Sequence, residues 1–400
     1  MDREALVLRN RAMAEAFHQL PLKHQARRAA LFAISRLPTW RRRTADTGRI
    51  LLIRPDHLGD VLLSLPAIQQ LRQALPTAEI HALAGPWSAE VLANNPALNA
   101  VLTLPFPGFS RTPKQNLRSP YELALHTARQ LRRIGYDTAI VLRPDHWWGA
   151  MTAHLAGIPQ RIGYDLTDVA PFLNHALDLR QEHAVLQSAR LVSALTGDFT
   201  PANLRLEYPV QETDRMWVRG YLEEWGIAPK QRIIAIHPGS GTWVKRWDDA
   251  RWATVADLLH DQLDMPIIFT GGDHELPMIS GIVAKMRHTP SLLVGDANIG
   301  QLAALYERAH VILGPDSGPL HLAAAVGSAT VTLFGPADPL EFGPWGPPER
   351  HIVLTSTIGC RPCRVIDWET DDPVNHPCVR DIPVERVLEA ARRLAQRDRF

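Results

Sequence analysis

Two short, uninterrupted apolar runs constrain this chain more than any other feature: RILLI at 49–53 and RIIAI at 232–236. Apolar runs without alternation suit strands buried on both faces, as in a parallel sheet covered by helices. Each run breaks at a proline and then a glycine, Pro55 and Gly59 in the first case, Pro238 and Gly239 in the second. Helical spacing follows, at 61–75 and 249–263. Further strand signals fall at 79–84, 100–104 and 138–142, and again at 266–270, 291–294, 311–313 and 330–334, with helical segments such as 120–134 between them. Strands alternating with helices predict an α/β fold with parallel sheets. Two such openings in 400 residues predict two domains of one architecture. Ligands in such sheets gather beyond the carboxyl ends of the strands, so function is expected in the strand-to-helix loops, facing a central crevice.

This reading divides the chain into an N-terminal helical extension at 1–47, a first α/β domain at 48–205, a linker at 206–230 and a second α/β domain at 231–400. The extension ends in Arg41, Arg42 and Arg43. Such a run can attract an anionic membrane surface at about 1 kcal/mol per charge, and a solvated helix end is the plainer reading. With 46% apolar residues the chain has ample material for packed cores, which excludes a mainly disordered protein. Lys and Arg total 43 against 42 Asp and Glu, so there is no global basic field and nucleic acid is not an expected partner. No apolar stretch approaches the roughly 20 residues of a membrane span, and no secretory leader is evident. The expected compartment is the cytoplasm, and the expected state a monomer.

Four loops carry chemistry-bearing residues. The first, 54–60, holds Arg54, His57 and Asp60. Asp60 stands where a helix begins, so it reads either as an N-cap or as a carboxylate available for general-base work. Its Arg-Pro-Asp-His tetrapeptide recurs at 143–146, followed by Trp147 and Trp148. Two copies at strand ends predict two Arg and two His in one cleft, with Arg143 suited to acidic groups and Trp147 to a sugar face. The second loop, 237–247, offers Ser240, Gly241, Thr242 and Lys245. Small residues admit a ligand to the backbone, and the lysine has the right sign for phosphate. The third loop, 270–275, ends in Glu275; the fourth, 314–321, carries Asp316, Ser317, Gly318 and His321. Turn chemistry alone would choose some of these residues, but three such loops in one domain point to a nucleotide pocket. Cys360, Cys363, His376 and Cys378 offer a four-ligand zinc set. Their His-x-Cys spacing is tighter than usual zinc patterns, and clustered reduced thiols without metal are the preferred reading.

The opening ILLIRPDHLGDVLLSLPAIQQLRQALPTAEIHAL resembles that of glycosyltransferase family 9, the heptosyltransferase-like family. The segments HPGSGTWVKRW, FTGGDHE and GPDSGPLHLAAAVGSATVTLFGPADP resemble its donor-side motifs in the same order. The resemblance spans most of 49–346 and implies a GT-B fold: two Rossmann-like domains, the first binding the acceptor and the second a nucleotide-diphosphate sugar. It implies Asp60 as catalytic base, Ser240, Gly241 and Lys245 at the donor phosphates, and Glu275 at the nucleoside. It further implies Asp316, Ser317, Gly318 and His321 around the diphosphate and sugar, and Arg54 toward the acceptor. Pro319 departs from the Leu usual after the Asp-Ser-Gly, and 1–47 and 106–119 lie outside the family core.

An inverting transfer by direct displacement is the implied chemistry, with heptose from ADP-heptose and a lipopolysaccharide-core or related glycolipid acceptor. No Asp-x-Asp motif occurs, so neither a metal nor another cofactor is expected. Two other readings fit the same loops: a two-domain sugar-nucleotide epimerase, and a non-catalytic nucleotide-sugar-binding protein. A dehydrogenase is not supported, because neither domain opening holds G-x-G-x-x-G.

Overall fold

The computed structural model describes residues 3–18, 22–37, 48–110, 116, 118–366 and 372–397. The arginine run 41–43 lies outside the described residues. The chain forms two compact units, Leu20–Arg205 and a second made of Met1–Gln19 with Leu206–Phe400.

In the Leu20–Arg205 unit six parallel strands form one sheet. They are β1 (Arg49–Arg54), β2 (Glu79–Ala84), β3 (Ala100–Thr103), β4 (Thr138–Val141), β5 (Gln160–Tyr164) and β6 (His175–Leu177). Their spatial order is β3-β2-β1-β4-β5-β6. The apolar run at 50–53 is buried throughout in β1, paired with β2 on one side and β4 on the other. Leu51, Ile53, Val141 and Trp148 belong to one core that Phe106 and Leu131 help to fill. The helical spacing at 61–75 resolves into two helices, Leu58–Leu62 and Leu65–Ala74. Pro66 explains the restart: with no N–H it fits the first turn of a new helix, not the interior of a continuing one.

The second unit repeats the plan. Its strands are β7 (Ile234–Ile236), β8 (Ile267–Gly271), β9 (Ser291–Val294), β10 (Val311–Pro315), β11 (Ala329–Phe334) and β12 (His351–Thr355), in the order β12-β11-β10-β7-β8-β9. Numbered from its own first strand, each sheet therefore runs 3-2-1-4-5-6, the Rossmann-like order. In each, the order reverses between the first and fourth strands, where the loops that follow them diverge and leave room for a ligand. The helix Asp249–Leu263 begins where its spacing predicts, with Asp248 accepting from Ala250 N (3.0 Å) and Arg251 N (3.2 Å).

The N-terminal extension is not one module. Its first helix, Arg3–His18, belongs to the second unit: Asn10 donates to Asn375 O (2.8 Å) and Arg11 to Gly359 O (2.5 Å). The next helix, Leu22–Ser35, lies in the other unit, where Arg27 and Arg28 each meet Asp168 at 2.6 Å and Leu31 is buried. The stretch 206–230 carries the helix Glu212–Glu224 within the second unit. There Arg215 pairs with Glu307 (2.7 Å), and Gly300 lets the backbone close on Asp214. No helix among the described residues is long and apolar enough to cross a membrane.

One buried carboxylate ties the edge of the second sheet together. Asp257 accepts the backbone N–H groups of Arg287 (2.9 Å) and His288 (3.1 Å), just ahead of β9. Asp257→Ala strands those donors, so urea unfolding should show a loss of roughly 1–3 kcal/mol with an unchanged denaturant slope.

Candidate active site

In the Leu20–Arg205 unit the loops after β1 and β4 meet through one carboxylate. Asp56, its side chain only 3% exposed, pairs with Arg54 Nε at 2.9 Å and also with Arg143. Burial alone would push its carboxyl up; the two guanidiniums outweigh burial and hold it below the usual carboxylate range. Arg54 further donates to Leu142 O (2.8 Å), and Arg143 to Asp145 (2.6 Å). From the loop after β2, Trp87 Nε1 (3.0 Å) and Ser88 Oγ (2.8 Å) donate to the Asp56 carbonyl. The loop is thus fixed on both sides.

Asp60 does not cap the helix. His57 occupies the N-cap, and Asp60 stands in the first turn, with its side chain 40% exposed and Oδ1 3.9 Å from Arg54 Nη2. A carboxylate there gains from the helix N-terminus and a nearby cation while keeping access to solvent. Of the two acidic residues in this loop, Asp60 is reachable from solvent and Asp56 is not.

The repeated tetrapeptide brings both arginines together but not both histidines. His57 is exposed, its ring 5.6 Å from Trp87. His146 is buried against Phe106, Phe109 and Trp148, with both ring nitrogens lacking a hydrogen-bond partner. Trp147 is half-buried, with Arg27 over its ring at 5.4 Å and Tyr121 beside it. Trp148 is core, its indole donating to Pro120 O at 2.8 Å.

The second unit presents its loops in the same relation. Lys245 Nζ, from the loop after β7, lies 2.6 Å from Asp316 Oδ2, from the loop after β10. Asp316 is 5% exposed and Lys245 18%, so the lysine keeps a face open to solvent. Around this pair two hydroxyls are buried without a hydrogen-bond partner, Thr242 Oγ1 and Ser317 Oγ. Thr242 precedes the short turn Trp243–Lys245, and Ser317 precedes the helix Gly318–Ala325. Pro319 sits in that helix's first turn, where its missing N–H costs nothing, so the departure from Leu leaves the helix entry intact. His321 Nε2 is 3.9 Å from Asp316 Oδ1, and Ser240 Oγ donates to Thr242 O at 2.6 Å. Cation, unused hydroxyls and helix N-terminus together form a cradle for an oxyanion.

Glu275 is buried beside this loop and accepts from Gly272 N (2.9 Å). Two glycines permit the arrangement. A Cβ on Gly239 would lie 1.7 Å from Glu275 Oε1, and one on Gly314 would lie 2.5 Å from His237 O. Gly241, by contrast, faces open space. Below them His237 Nδ1 meets Thr270 Oγ1 (3.1 Å), which meets the Tyr306 hydroxyl (2.9 Å). Sequence reasoning gave Asp56 no role and missed both the packing of Gly239 against Glu275 and this buried network; the repeated Arg-Pro-Asp-His was the available signal for Asp56. Cys360, Cys363, His376 and Cys378 line one small pocket with Asn10, and burial pushes the Cys378 thiol up to about 12.

Two Rossmann-like units of matching strand order are the frame of a GT-B glycosyltransferase. The family described as "Glycosyltransferase family 9 (heptosyltransferase)" matches residues 124–371, more than half of the chain, and the chain belongs to that family. It is similar to lipopolysaccharide heptosyltransferase 3 of Escherichia coli, at 26% identity over 294 residues covering 72% of this chain and 83% of the relative. Lipopolysaccharide heptosyltransferase 2 of Escherichia coli strain K12 is 25% identical over 355 residues, covering 85% and 97% respectively. The solved structure of E. coli ADP-heptose lps heptosyltransferase II shares the fold, with a TM-score of 0.68 at 23% identity over 87% of this chain and 98% of that one.

His146 gives the site a measurable acid limit. Burial holds its pKa at about 4 against an ordinary 6.5. Between those values the unfolded chain binds a proton that the folded chain refuses, so stability falls as pH drops through that window, by up to about 3 kcal/mol. His146→Phe should make the slope of urea midpoints from pH 7 to pH 4 shallower, the remainder coming from His154 and His351, which burial also holds at about 4.

Proposed function

We propose that this glycosyltransferase transfers heptose from ADP-heptose to a lipopolysaccharide-core or related glycolipid acceptor, with inversion and without a metal. The observation that carries the donor side is the Lys245–Asp316 pair flanked by the unpartnered Thr242 and Ser317 hydroxyls. The names of the heptosyltransferase relatives support the sugar and the acceptor class.

On this reading the second unit is the donor side. Lys245 turns from Asp316 toward the diphosphate, Thr242, Ser317 and the Gly318 amide donate to its oxygens, and Ser240 and Gly241 shape the loop around it. Charge developing on the leaving diphosphate is then met by donors already in place. Glu275 holds the nucleoside, and Asp316 and His321 contact the sugar. The Leu20–Arg205 unit is the acceptor side. Asp60 removes the proton of the attacking hydroxyl as the bond from the anomeric carbon to the diphosphate breaks. Arg54 and Arg143, anchored on Asp56, position this loop, while His57 and Trp147 contact the acceptor. The enzyme works in the cytoplasm as a monomer, at the membrane surface that presents its acceptor.

The epimerase alternative uses no acceptor, and family membership favours transfer over it. Asp60→Ala should lower kcat by about 10²–10⁴ while calorimetric binding of ADP-heptose stays within about twofold. Equal loss of turnover and donor binding would remove Asp60 from the role of base. Turnover of ADP-heptose without any acceptor would favour epimerisation.

A further inference from the structure

We propose that His260, Asp261 and His288 form a binding site for a divalent transition-metal ion such as zinc, separate from the transfer site. Each offers one ligand atom, and these atoms lie within 4.8 Å of one another. The donors come from two elements: His260 and Asp261 from the last turns of the helix Asp249–Leu263, and His288 from the loop before β9. The two imidazoles stack with ring centroids 4.1 Å apart, and Asp261 Oδ1 already meets His288 Nε2 at 2.6 Å.

The chemistry of this set selects the ion. Two imidazoles and one carboxylate suit zinc and its neighbours, not calcium or magnesium, which prefer oxygen-only shells. Ligand atoms about 2.1 Å from a tetrahedral zinc stand roughly 3.4 Å apart, so the observed spread needs only side-chain adjustment of about an ångström. Arg287 sits on the other Asp261 oxygen, Oδ2, at 2.6 Å, and its exposed side chain can move to Asp257, 3.5 Å away.

A fourth position is open to water. His260 and His288 line a surface cleft of about 220 Å³ with Trp225, Gln231, Asp264 and Ser291. This cleft lies where β8 and β9 begin, at the opposite end of the sheet from Lys245 and Asp316. The backbone beneath is prearranged, because Asp257 fixes the amides of Arg287 and His288. An ion here would cross-link the end of a helix to the loop entering an edge strand. It would bind the folded chain in preference to the unfolded one and raise its melting temperature.

The test is calorimetric titration of the chelator-stripped full chain with ZnCl2, followed by the same titration of His260→Ala, His288→Ala and Cys360→Ser. One ion per chain is expected, with affinity falling at least tenfold in each histidine variant and unchanged in the cysteine variant. The CoCl2-loaded chain should show visible d–d absorption without a sulfur-to-cobalt charge-transfer band. His260→Gln, a closer fit at a half-buried position, is the companion variant if an alanine chain fails to fold. Absence of saturable zinc binding would overturn the proposal. So would binding that survives in the folded histidine variants or is lost only with Cys360.

Discussion

The pairing of a cation with a carboxylate across the point of strand reversal is the interaction on which both units depend. In each sheet the first and fourth strands are hydrogen-bonded neighbours, β1 with β4 and β7 with β10. The loops that follow them leave from adjacent strand ends and then diverge. Opposite charges on the two loops, Asp56 with Arg143 in one unit and Lys245 with Asp316 in the other, join what the strand order separates. The two pairs differ in how fully they are satisfied. Asp56 is shared by two arginines and enclosed, and breaking such a group costs about 3–5 kcal/mol, so it serves as a frame. Lys245 meets one carboxylate oxygen and keeps a face open to solvent, so an arriving anion can compete for it.

That difference allocates the chemistry. A general base must be ionised, reachable and held in place, and these demands conflict when one residue carries all of them. On the proposed reading of Asp60 as the base they are divided: Asp56 takes the structural charge pairing, and Asp60, four residues on, keeps its exposure and its place at a helix start. The second unit shows the same contrast between enclosed and open groups. Glu275 is enclosed by Gly239 and Gly272, while the hydroxyls of Thr242 and Ser317 have no hydrogen-bond partner in the protein.

Much of this frame was legible from residues alone, because a central parallel strand needs apolar residues on both faces. β1, β2, β9 and the helix Asp249–Leu263 fall where their patterns place them. The strands β5, β6 and β12 escaped notice. β6 is a sheet edge with two of its three residues exposed, and β5 opens on Gln and Arg, so neither needs a continuous apolar run. Sharing of the N-terminal helices between units was hidden for another reason: Arg11, Asn10, Arg27 and Arg28 find their partners more than a hundred residues away. At the site, spacing identified which loops matter but not how their side chains divide the work. Nothing local says that His57 is exposed while His146, in an identical tetrapeptide, is enclosed by Phe106 and Trp148.

The central claim is that the β7 and β10 loops bind a nucleotide diphosphate through Lys245. Calorimetric titration of the full chain with ADP, GDP, UDP, CDP and dTDP, repeated on Lys245→Ala, tests it most directly. A charge-assisted hydrogen bond contributes roughly 1.5–3 kcal/mol, so one preferred nucleotide, ADP, is expected, bound about 10- to 100-fold more weakly by a variant that melts at a lower temperature but is folded at the temperature of the titration. Equal binding by the variant, or no binding of any nucleotide to the folded chain, would contradict it.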